Sequence, residues 1–323
     1  MKIVFMGTPA FAVPALKRLI TGGLKPAVVY TQPPRRSGRG MRLHQPPTAT
    51  AAADPGLPLR QPKILQRRVE MSFLEDLAPD LIVTVAYGKI FRPRLLSLPR
   101  LGCINLHPSL LPRYRGLSPI PWAIVRGEAV TGVTIYRMNE GVDAGPILLQ
   151  QAVEIRPDDT CGTLSVRLAS LGAEMLVQII RSLADGKAKG MPQREELRSF
   201  APRLERRDGL LDWRLPATQI ERIVRAFDPW PGTFCFLRNR RVKVLKVKVL
   251  DEAAHNVPPG TILHADGKRP PVVAALPGTI ALTMVQCENS RPQSGAAFCC
   301  GQRIETGQRL LPVPRPARDP GHA

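Results

Sequence analysis

Asn105 and His107 stand two residues apart at the end of an apolar run, so on a β-strand their side chains share a face. The loop that follows, Pro108-Ser109-Leu110-Leu111-Pro112, is bracketed by prolines that stiffen it. Downstream, Thr131–Met138 alternates like a strand and runs into Asn139-Glu140-Gly141-Val142-Asp143-Ala144-Gly145-Pro146, whose glycines let a carboxylate be aimed into a cleft. An amide donor, an imidazole and a carboxylate can together run acyl transfer to an amine. The amide steadies an oxyanion, the imidazole moves or donates a proton, and the carboxylate sets the charge of the imidazole. Each residue also has a plainer reading. A histidine at a strand end is more often a satisfied structural group than a catalyst, and a lone aspartate among glycines is more often a turn former.

The scaffold around these residues alternates strands with helices. Lys2–Met6 is a short apolar run before a Gly-Thr-Pro turn, Phe11–Ile20 has helical apolar spacing, and Lys25–Thr31 carries Val28-Val29-Tyr30 as a second strand. Leu81–Ala86 and Leu101–His107 are further apolar strands, and Met71–Leu77 is a helical segment. The pattern predicts an α/β domain with a parallel sheet wrapped by helices. In such sheets ligands sit at the carboxyl ends of strands, where Asn105 and His107 fall. Gly7 stands alone with no G-x-G-x-x-G after the first strand, which makes a dinucleotide site a weak reading. Thr160–Ala184 reads as one long amphipathic helix closing this domain, and residues 185–207 turn polar and basic, as suits a linker.

The second half changes character. After a helix near Ala217–Phe227 come short β-type runs at Thr233–Leu237, Val242–Leu250, Gly260–His264 and Thr279–Val285, divided by Gly and Pro. They predict a small barrel or sandwich. In Val242–Val249 the apolar positions are 242 and 244, then 247 and 249, a change of phase that predicts a bulge.

Composition bounds the function. With 323 residues, about two domains are expected, and 44% hydrophobic content is incompatible with disorder throughout. No apolar run approaches the roughly 20 residues that span a bilayer. The opening Met1–Met6 run stops at Gly7-Thr8-Pro9, short of a signal-peptide core of about 7–15 residues. A soluble, cytoplasmic protein without a membrane partner is expected, as a monomer. The formal charge of +20 attracts polyanions, and nucleic acid is the first partner to consider. Genomic base composition also raises Arg, Ala and Pro, but it explains scarce acids less well. Six cysteines (103, 161, 235, 287, 299, 300) show no Cys-x-x-Cys pair and no histidine at zinc-finger spacing, so no metal site is expected. Cys103 points as Asn105 and His107 do, and is read as a packing thiol.

Two basic clusters stand out. Residues 1–60 carry nine Lys or Arg against one acid, Asp54, and Arg35, Arg36, Arg39 and Arg42 crowd a Gly/Pro-rich loop. Arg238, Arg240, Arg241, Lys243, Lys246 and Lys248 lie on a β-type segment with no acid among them, which suits a strand that tracks phosphates. Charge runs are usually solvated faces, a reading weakened here by the lack of compensating acids.

The literal strings add a resemblance. Ile104-Asn105-Leu106-His107-Pro108-Ser109-Leu110-Leu111-Pro112-Arg113-Tyr114-Arg115-Gly116, followed by Gly132-Val133-Thr134 and Gly141-Val142-Asp143-Ala144-Gly145, resembles the formyltetrahydrofolate-dependent formyltransferases. Four further strings are similar to the methionyl-tRNA formyltransferase family within that group. They are Phe5-Met6-Gly7-Thr8-Pro9, Thr31-Gln32-Pro33 leading to Gly38-Arg39-Gly40, Ala86-Tyr87-Gly88, and Arg225-Ala226-Phe227-Asp228-Pro229-Trp230-Pro231-Gly232. The resemblance covers roughly residues 1 to 311. It implies a Rossmann-like catalytic domain over residues 1–187, a linker over 188–206, and a C-terminal β-barrel of the oligonucleotide-binding (OB) type over 207–311 that binds tRNA. Residues 312–323 are expected to be a disordered tail.

Carried over by position, Asn105, His107 and Asp143 match the family's catalytic trio. Ser109, Leu110, Leu111 and Pro112 match its folate-contacting loop. Ala86, Tyr87 and Gly88, with Asn139, Gly141 and Val142, match walls of the pterin pocket. The implied reaction needs no metal and no covalent enzyme intermediate: the α-amine of methionine esterified to initiator tRNA attacks the formyl carbon of 10-formyltetrahydrofolate. Asn105 and His107 would stabilise the oxyanion, and Asp143 would tune His107 and help to move protons. The arginine loop would enter the acceptor end of the tRNA. Three departures stand out: Pro34 where the family usually has Asp, Pro121 where it has Gln, and residues 289–298, which lack most of a basic run. Three rival readings differ in what they leave unexplained. A formyltransferase for a small amine does not account for the C-terminal domain, a nucleic-acid-binding module on a dead fold does not account for the trio, and a folate hydrolase has no use for a tRNA-binding barrel.

Overall fold

The apolar runs at Ile3–Gly7, Leu81–Val85 and Cys103–His107 become strands, and the computed structural model describes residues 1–37 and 40–311. Arg39, read above as an RNA contact, and residues 312–323, read as a disordered tail, lie outside the described residues. The chain forms two units. One consists of Met1–Ile120, Ala129–Arg156 and Thr163–Arg203; the other of Pro121–Glu128, Pro157–Gly162 and the chain from Leu204 onward.

The strands of the first unit are β1 (Ile3–Gly7), β2 (Val28–Tyr30), β3 (Arg35–Ser37), β4 (Arg42–His44), β5 (Leu59–Arg60), β6 (Leu81–Val85), β7 (Cys103–His107), β8 (Arg115–Gly116), β9 (Val130–Arg137), β10 (Ile147–Glu154) and β11 (Phe200–Ala201). Its main sheet has the order β10-β9-β7-β6-β1-β2-β5. The run from β7 to β5 is parallel, whereas β9 and β10 are antiparallel additions on the β7 side. Every residue of β1 and β6 is buried, as in a sheet covered on both faces. The parallel sheet expected from the sequence is therefore present, with an antiparallel edge that strand spacing alone did not indicate. Of the Arg-rich loop, the described parts β3 and β4 pair antiparallel as the two arms of a hairpin.

The helix Cys161–Ala184 covers one face. Its buried stripe (Leu164, Leu168, Gly172, Met175, Leu176, Ile179, Leu183) recurs every three to four residues. Gly172 is where it meets β7, because a Cβ there would come within 2.4 Å of Leu106 Cδ1. Leu106 faces the helix, so Asn105 and His107 project from the other side of the sheet. By length and composition this helix would suffice to cross a membrane, which amends the reading that no run approaches that length. Over half of its most apolar stretch (56%) is buried inside the protein, as befits a core helix.

In the second unit, β12 (Thr233–Leu237), β13 (Arg240–Asp251), β14 (Ile262–His264), β15 (Val272–Ala274), β16 (Thr279–Cys287) and β17 (Gln293–Ser294) form an antiparallel sheet. The order is β12-β13-β16-β15-β14, with β17 on β16. Trp213, Ile220, Val244, Ile262, Leu282 and Phe298 centre its core. The sheet is open, since β12 and β14 do not pair as a ladder; a closed barrel is not formed by these strands alone. The C-terminal segment spans the gap: Leu310 N donates to Gly260 O (2.8 Å), and Leu311 exchanges 2.8 and 2.9 Å bonds with Phe236. The expected bulge is present, because the β13–β16 register shifts between Val244 and Lys246 and again before Val247. It keeps Lys243, Lys246 and Lys248 all exposed while Val242 and Val244 are buried.

Candidate active site

Register across the sheet builds the site. Thr84 on β6 faces Asn105 on β7, and Asn105 faces Tyr136 on β9. The three side chains are hydrogen-bonded in that order. Thr84 Oγ1 donates to Asn105 Oδ1 (2.8 Å), Asn105 Nδ2 donates to Tyr136 Oη (3.2 Å), and Tyr136 Oη donates to Asp143 Oδ1 (2.7 Å). Gly116 N donates to the other Asp143 oxygen (2.7 Å). Tyr136 is buried, and burial first, then the Asp143 charge, pushes its hydroxyl well above the ordinary tyrosine range. It stays protonated and acts as a donor. Sequence reasoning missed Thr84 and Tyr136, although Thr84 lies two residues before the Ala86-Tyr87-Gly88 string and Tyr136 two after Gly132-Val133-Thr134.

His107 is buried, with Nε2 2.9 Å from the Tyr114 carbonyl. A carbonyl only accepts, so Nε2 carries a proton, and the tautomer is assigned from that partner. Nδ1 lies 3.6 Å from Asp143 Oδ2, an ion-pair separation longer than a hydrogen bond. The structure thus brings Asn105, His107 and Asp143 into one group. Cys103, on the same strand, lies in an apolar cluster; burial pushes its thiol up to about 12, which leaves it un-ionised and unsuited to attack.

The Asp143 loop needs its glycines. A Cβ on Gly145 would sit 1.8 Å from the Arg137 carbonyl oxygen, and Asp143 itself adopts φ +49°. The loop is held from outside by the stretch read as a linker. Gln193 Nε2 donates to Asp143 O (2.9 Å) and Gly145 O (2.7 Å), and its Oε1 accepts from Arg115 (2.7 Å). Arg115, buried, also pairs with Glu195 (2.5 Å), whose carboxyl it holds below the usual carboxylate range. β11 pairs with β8, and Met191 exchanges 2.8 Å bonds with Ile147. Residues 191–201 are thus an ordered strap on the first unit, and Arg115, Gln193 and Glu195 are site-supporting residues that sequence reasoning did not single out.

In the Ser109–Pro112 loop most backbone groups are already engaged. Leu111 N donates to Thr134 Oγ1 (3.1 Å), Leu111 O accepts from Gln150 (3.0 Å), Ser109 O accepts from Thr134 (2.6 Å), and Leu110 O accepts from Arg113 N (3.0 Å). The Leu110 side chain lies over Gly132, where a Cβ would be 2.5 Å from it. In the 86–88 turn, Ala86 and Gly88 have positive φ. Tyr87 O accepts from Gln32 (3.0 Å), while the Tyr87 ring is buried in the apolar cluster and its hydroxyl has no hydrogen-bond partner among the described residues. Asn139, Gly141 and Val142 are exposed, and Asn139 Oδ1 accepts from Gly141 N (3.1 Å).

The basic residues divide. Arg35, Arg36 and Arg42 are exposed on the β3–β4 hairpin, with Arg35 bonded to Gln32 and Arg36 to Met41 O (3.2 Å). Arg240, Lys243, Lys246 and Lys248 are exposed on β13. Arg238 instead donates to the Gln302 and Arg303 carbonyls (both 3.2 Å), at the end of the helix Gly295–Gln302, and Arg241 stacks 3.7 Å over Phe234. A cavity of about 190 Å³ beside Arg240, Arg241 and Glu288 lies in this second unit, and no residue of the trio lines it.

A carboxylate, an imidazole and a donor amide grouped at the carboxyl end of an α/β sheet are the groups that an acyl-group transferase uses. A formyl transferase family model matches residues 1–180, and a model of the formyl transferase C-terminal domain matches residues 203–303. The chain is 40% identical over 310 residues to a methionyl-tRNA formyltransferase of Acetivibrio thermocellus, covering 96% of this chain and 99% of that one. This chain belongs to the methionyl-tRNA formyltransferase family. Its fold is also that of WlaRD, a sugar 3N-formyl transferase solved with dTDP and 5-N-formyl-THF (18% identity, TM-score 0.62, 90% of this chain and 99% of that one). HypX from Aquifex aeolicus, solved with tetrahydrofolic acid, is similar over 93% of this chain but only 47% of its own, at 19% identity and TM-score 0.62.

Proposed function

We propose that this protein transfers the formyl group of 10-formyltetrahydrofolate to the α-amine of methionyl initiator tRNA, in support of translation initiation. The observation that carries this reading is the end-to-end match, at 40% identity, to a methionyl-tRNA formyltransferase, which takes in the C-terminal domain as well as the catalytic one.

The donor set fits a formyl carbonyl, which only accepts. Asn105 Nδ2 has two hydrogens and only one partner among the described residues, Tyr136, so its second N–H is available to an oxyanion. His107, fixed at Nε2 by Tyr114, presents Nδ1 beside Asp143 and, as imidazolium, adds a donor there. Asp143 offers an acceptor for the proton the amine must lose. The folate supplies the activated formyl group. Ala86–Gly88, Ser109–Pro112 and the 139–142 loop would hold its pterin, with Leu110 contributing packing.

The catalytic domain is assigned to residues 1–187, the linker to 188–206 and an OB-like RNA-binding domain to 207–311. Bonding of residues 310–311 to both Gly260 and Phe236, across the open side of the sheet, supports the OB-like reading. The exposed Arg240, Lys243, Lys246 and Lys248 are placed on the RNA body, and Arg35, Arg36 and Arg42 at the acceptor end. A cytoplasmic monomer completes the reading. Its test is formyl transfer from 10-formyltetrahydrofolate to charged initiator tRNA, with free methionine and an amino sugar as controls. Formylation of the tRNA alone is expected; formylation of the amino sugar and not the tRNA overturns the reading.

A further inference from the structure

We infer that Tyr136 is a positioning residue that fixes which way the Asn105 amide points, and that it takes its own direction from the charge on Asp143. The inference rests on the formyl-transfer reading above.

The argument follows the protons. Asp143 as a carboxylate only accepts, so the hydroxyl hydrogen of Tyr136, 2.7 Å away, points at Asp143 Oδ1. Burial and the neighbouring carboxylate keep that hydroxyl protonated. With its hydrogen committed, Tyr136 Oη can only accept from Asn105. The group 3.2 Å away must therefore be the Asn105 nitrogen. Asn105 Oδ1 then faces Thr84, whose hydroxyl is 2.8 Å from it. One orientation of the amide satisfies all three contacts; the flipped amide sets Asn105 Oδ1 against Tyr136 Oη, with no hydrogen between them. The second N–H of Asn105 is left for the substrate, so the negative charge of Asp143 reaches the formyl oxygen as a correctly aimed donor, two hydrogen bonds away. His107, on the same strand, meets Asp143 through the other carboxylate oxygen, at 3.6 Å, and Gly116 N shares that oxygen. Asp143 thus serves the two oxyanion donors through separate atoms.

Tyr136→Phe keeps the buried ring and removes only the hydroxyl. In the tRNA formylation assay, with wild-type enzyme as reference, kcat should fall about 10- to 100-fold, less than the roughly 100–1,000-fold that loss of the donor itself causes. KM for folate and for tRNA should stay within twofold. In single-turnover measurements, adding Tyr136→Phe to Asn105→Ala should cost less than a further twofold, because Tyr136 acts through Asn105. A Phe variant with wild-type kcat overturns the inference, and so does a double variant in which the two losses multiply. Should Tyr136→Phe fail to fold, Thr84 tests the other end of the same amide: Thr84→Val should lower kcat and Thr84→Ser restore it, whereas equal rates for the two overturn the inference. Absence of tRNA formylation by the wild type would instead sink the functional reading.

Discussion

One amide nitrogen, Gln193 Nε2, donates to the carbonyls of both Asp143 and Gly145, so a residue of the strap holds the backbone of the loop that carries Asp143, the carboxylate proposed to be catalytic. Gln193→Glu keeps the shape but replaces the donor with a carboxylate that faces two carbonyl oxygens. Steady-state kinetics should show kcat reduced about tenfold or more, because small misplacements of a catalytic group are costly. KM for tRNA should hold, since no phosphate contact is touched. Unchanged kcat would show that the loop keeps its place without the strap.

Asn105→Ala, His107→Ala and Asp143→Ala should each remove most turnover, on the order of 100-fold or more, and leave tRNA affinity nearly unaltered. Filter binding at fixed salt, set beside kcat, checks both halves. Two of the three retaining near wild-type kcat would refute the trio. Cys103→Ala should leave a fully active enzyme of lower stability, as expected for a packed thiol.

How far the site could be read from sequence depends on the range of the interactions. The shared face of Asn105 and His107 was legible from the period of a strand, and the freedom to aim Asp143 from the glycines around it, because both signals are local; the grouping of the three as a trio came from the resemblance of the literal strings. Thr84 and Tyr136 were not, since their part depends on the register between β6, β7 and β9, which no local pattern encodes. Arg115 and Gln193 meet across 78 positions, and the run containing Gln193 has the composition of a linker. In the second unit the β13 bulge could be read from its change of apolar phase. β15 has only three residues, and Gly295–Gln302 lacks an amphipathic pattern, so neither stood out. Arg238 and Arg241 look like their basic neighbours in sequence; only the fold shows one on helix-end carbonyls and the other on an aromatic ring.

The Ser109–Pro112 loop, proposed to hold the folate, allows a narrower test. Because Ser109, Leu110 and Leu111 already spend most of their backbone groups internally, the loop offers a ligand chiefly the Leu110 side chain, which rests on Gly132. Leu110→Ala should raise KM for 10-formyltetrahydrofolate severalfold, in keeping with lost packing of about 1–2 kcal/mol, and leave KM for tRNA alone. A folate-bound structure with the pterin away from this loop would contradict the assignment.

Acid should weaken the second unit in a particular way. Asp266 accepts from the backbone N–H of Arg269 and of Lys268 (both 2.8 Å) and lies 3.0 Å from His264 Nε2, which together hold its carboxyl well below the usual range. A depressed folded-state pKa means that the unfolded chain takes up the proton first on acidification. The contribution is therefore present above the unfolded value of about 3.9 and is lost as pH falls towards the folded one. In calorimetry the Tm advantage of wild type over Asp266→Asn should be larger at pH 5 than at pH 3. An advantage that did not shrink would show that the charge is not what matters.

The bulge in β13 bears on RNA binding. Without that change of phase, Lys246 and Lys248 would alternate onto the face that buries Val242 and Val244; with it, both stay exposed alongside Lys243. Phosphate contacts release counterions, so the observed affinity should fall with salt, with a log–log slope of about 0.7–0.9 per contact. Replacing Lys243, Lys246 and Lys248 with Gln should flatten that slope by about 2 to 3 units and raise KM for charged tRNA, with kcat and folate KM intact. Replacing Arg36 and Arg42 on the hairpin should act differently, lowering kcat/KM for tRNA sharply through poor aiming of the aminoacyl end. Arg238→Ala and Arg241→Ala should show their effect in Tm first, since both side chains are engaged within their own unit. A wild-type enzyme whose activity ignored salt, together with lysine and arginine variants that formylate tRNA unimpaired, would exclude these residues from RNA binding and favour a small amine as acceptor.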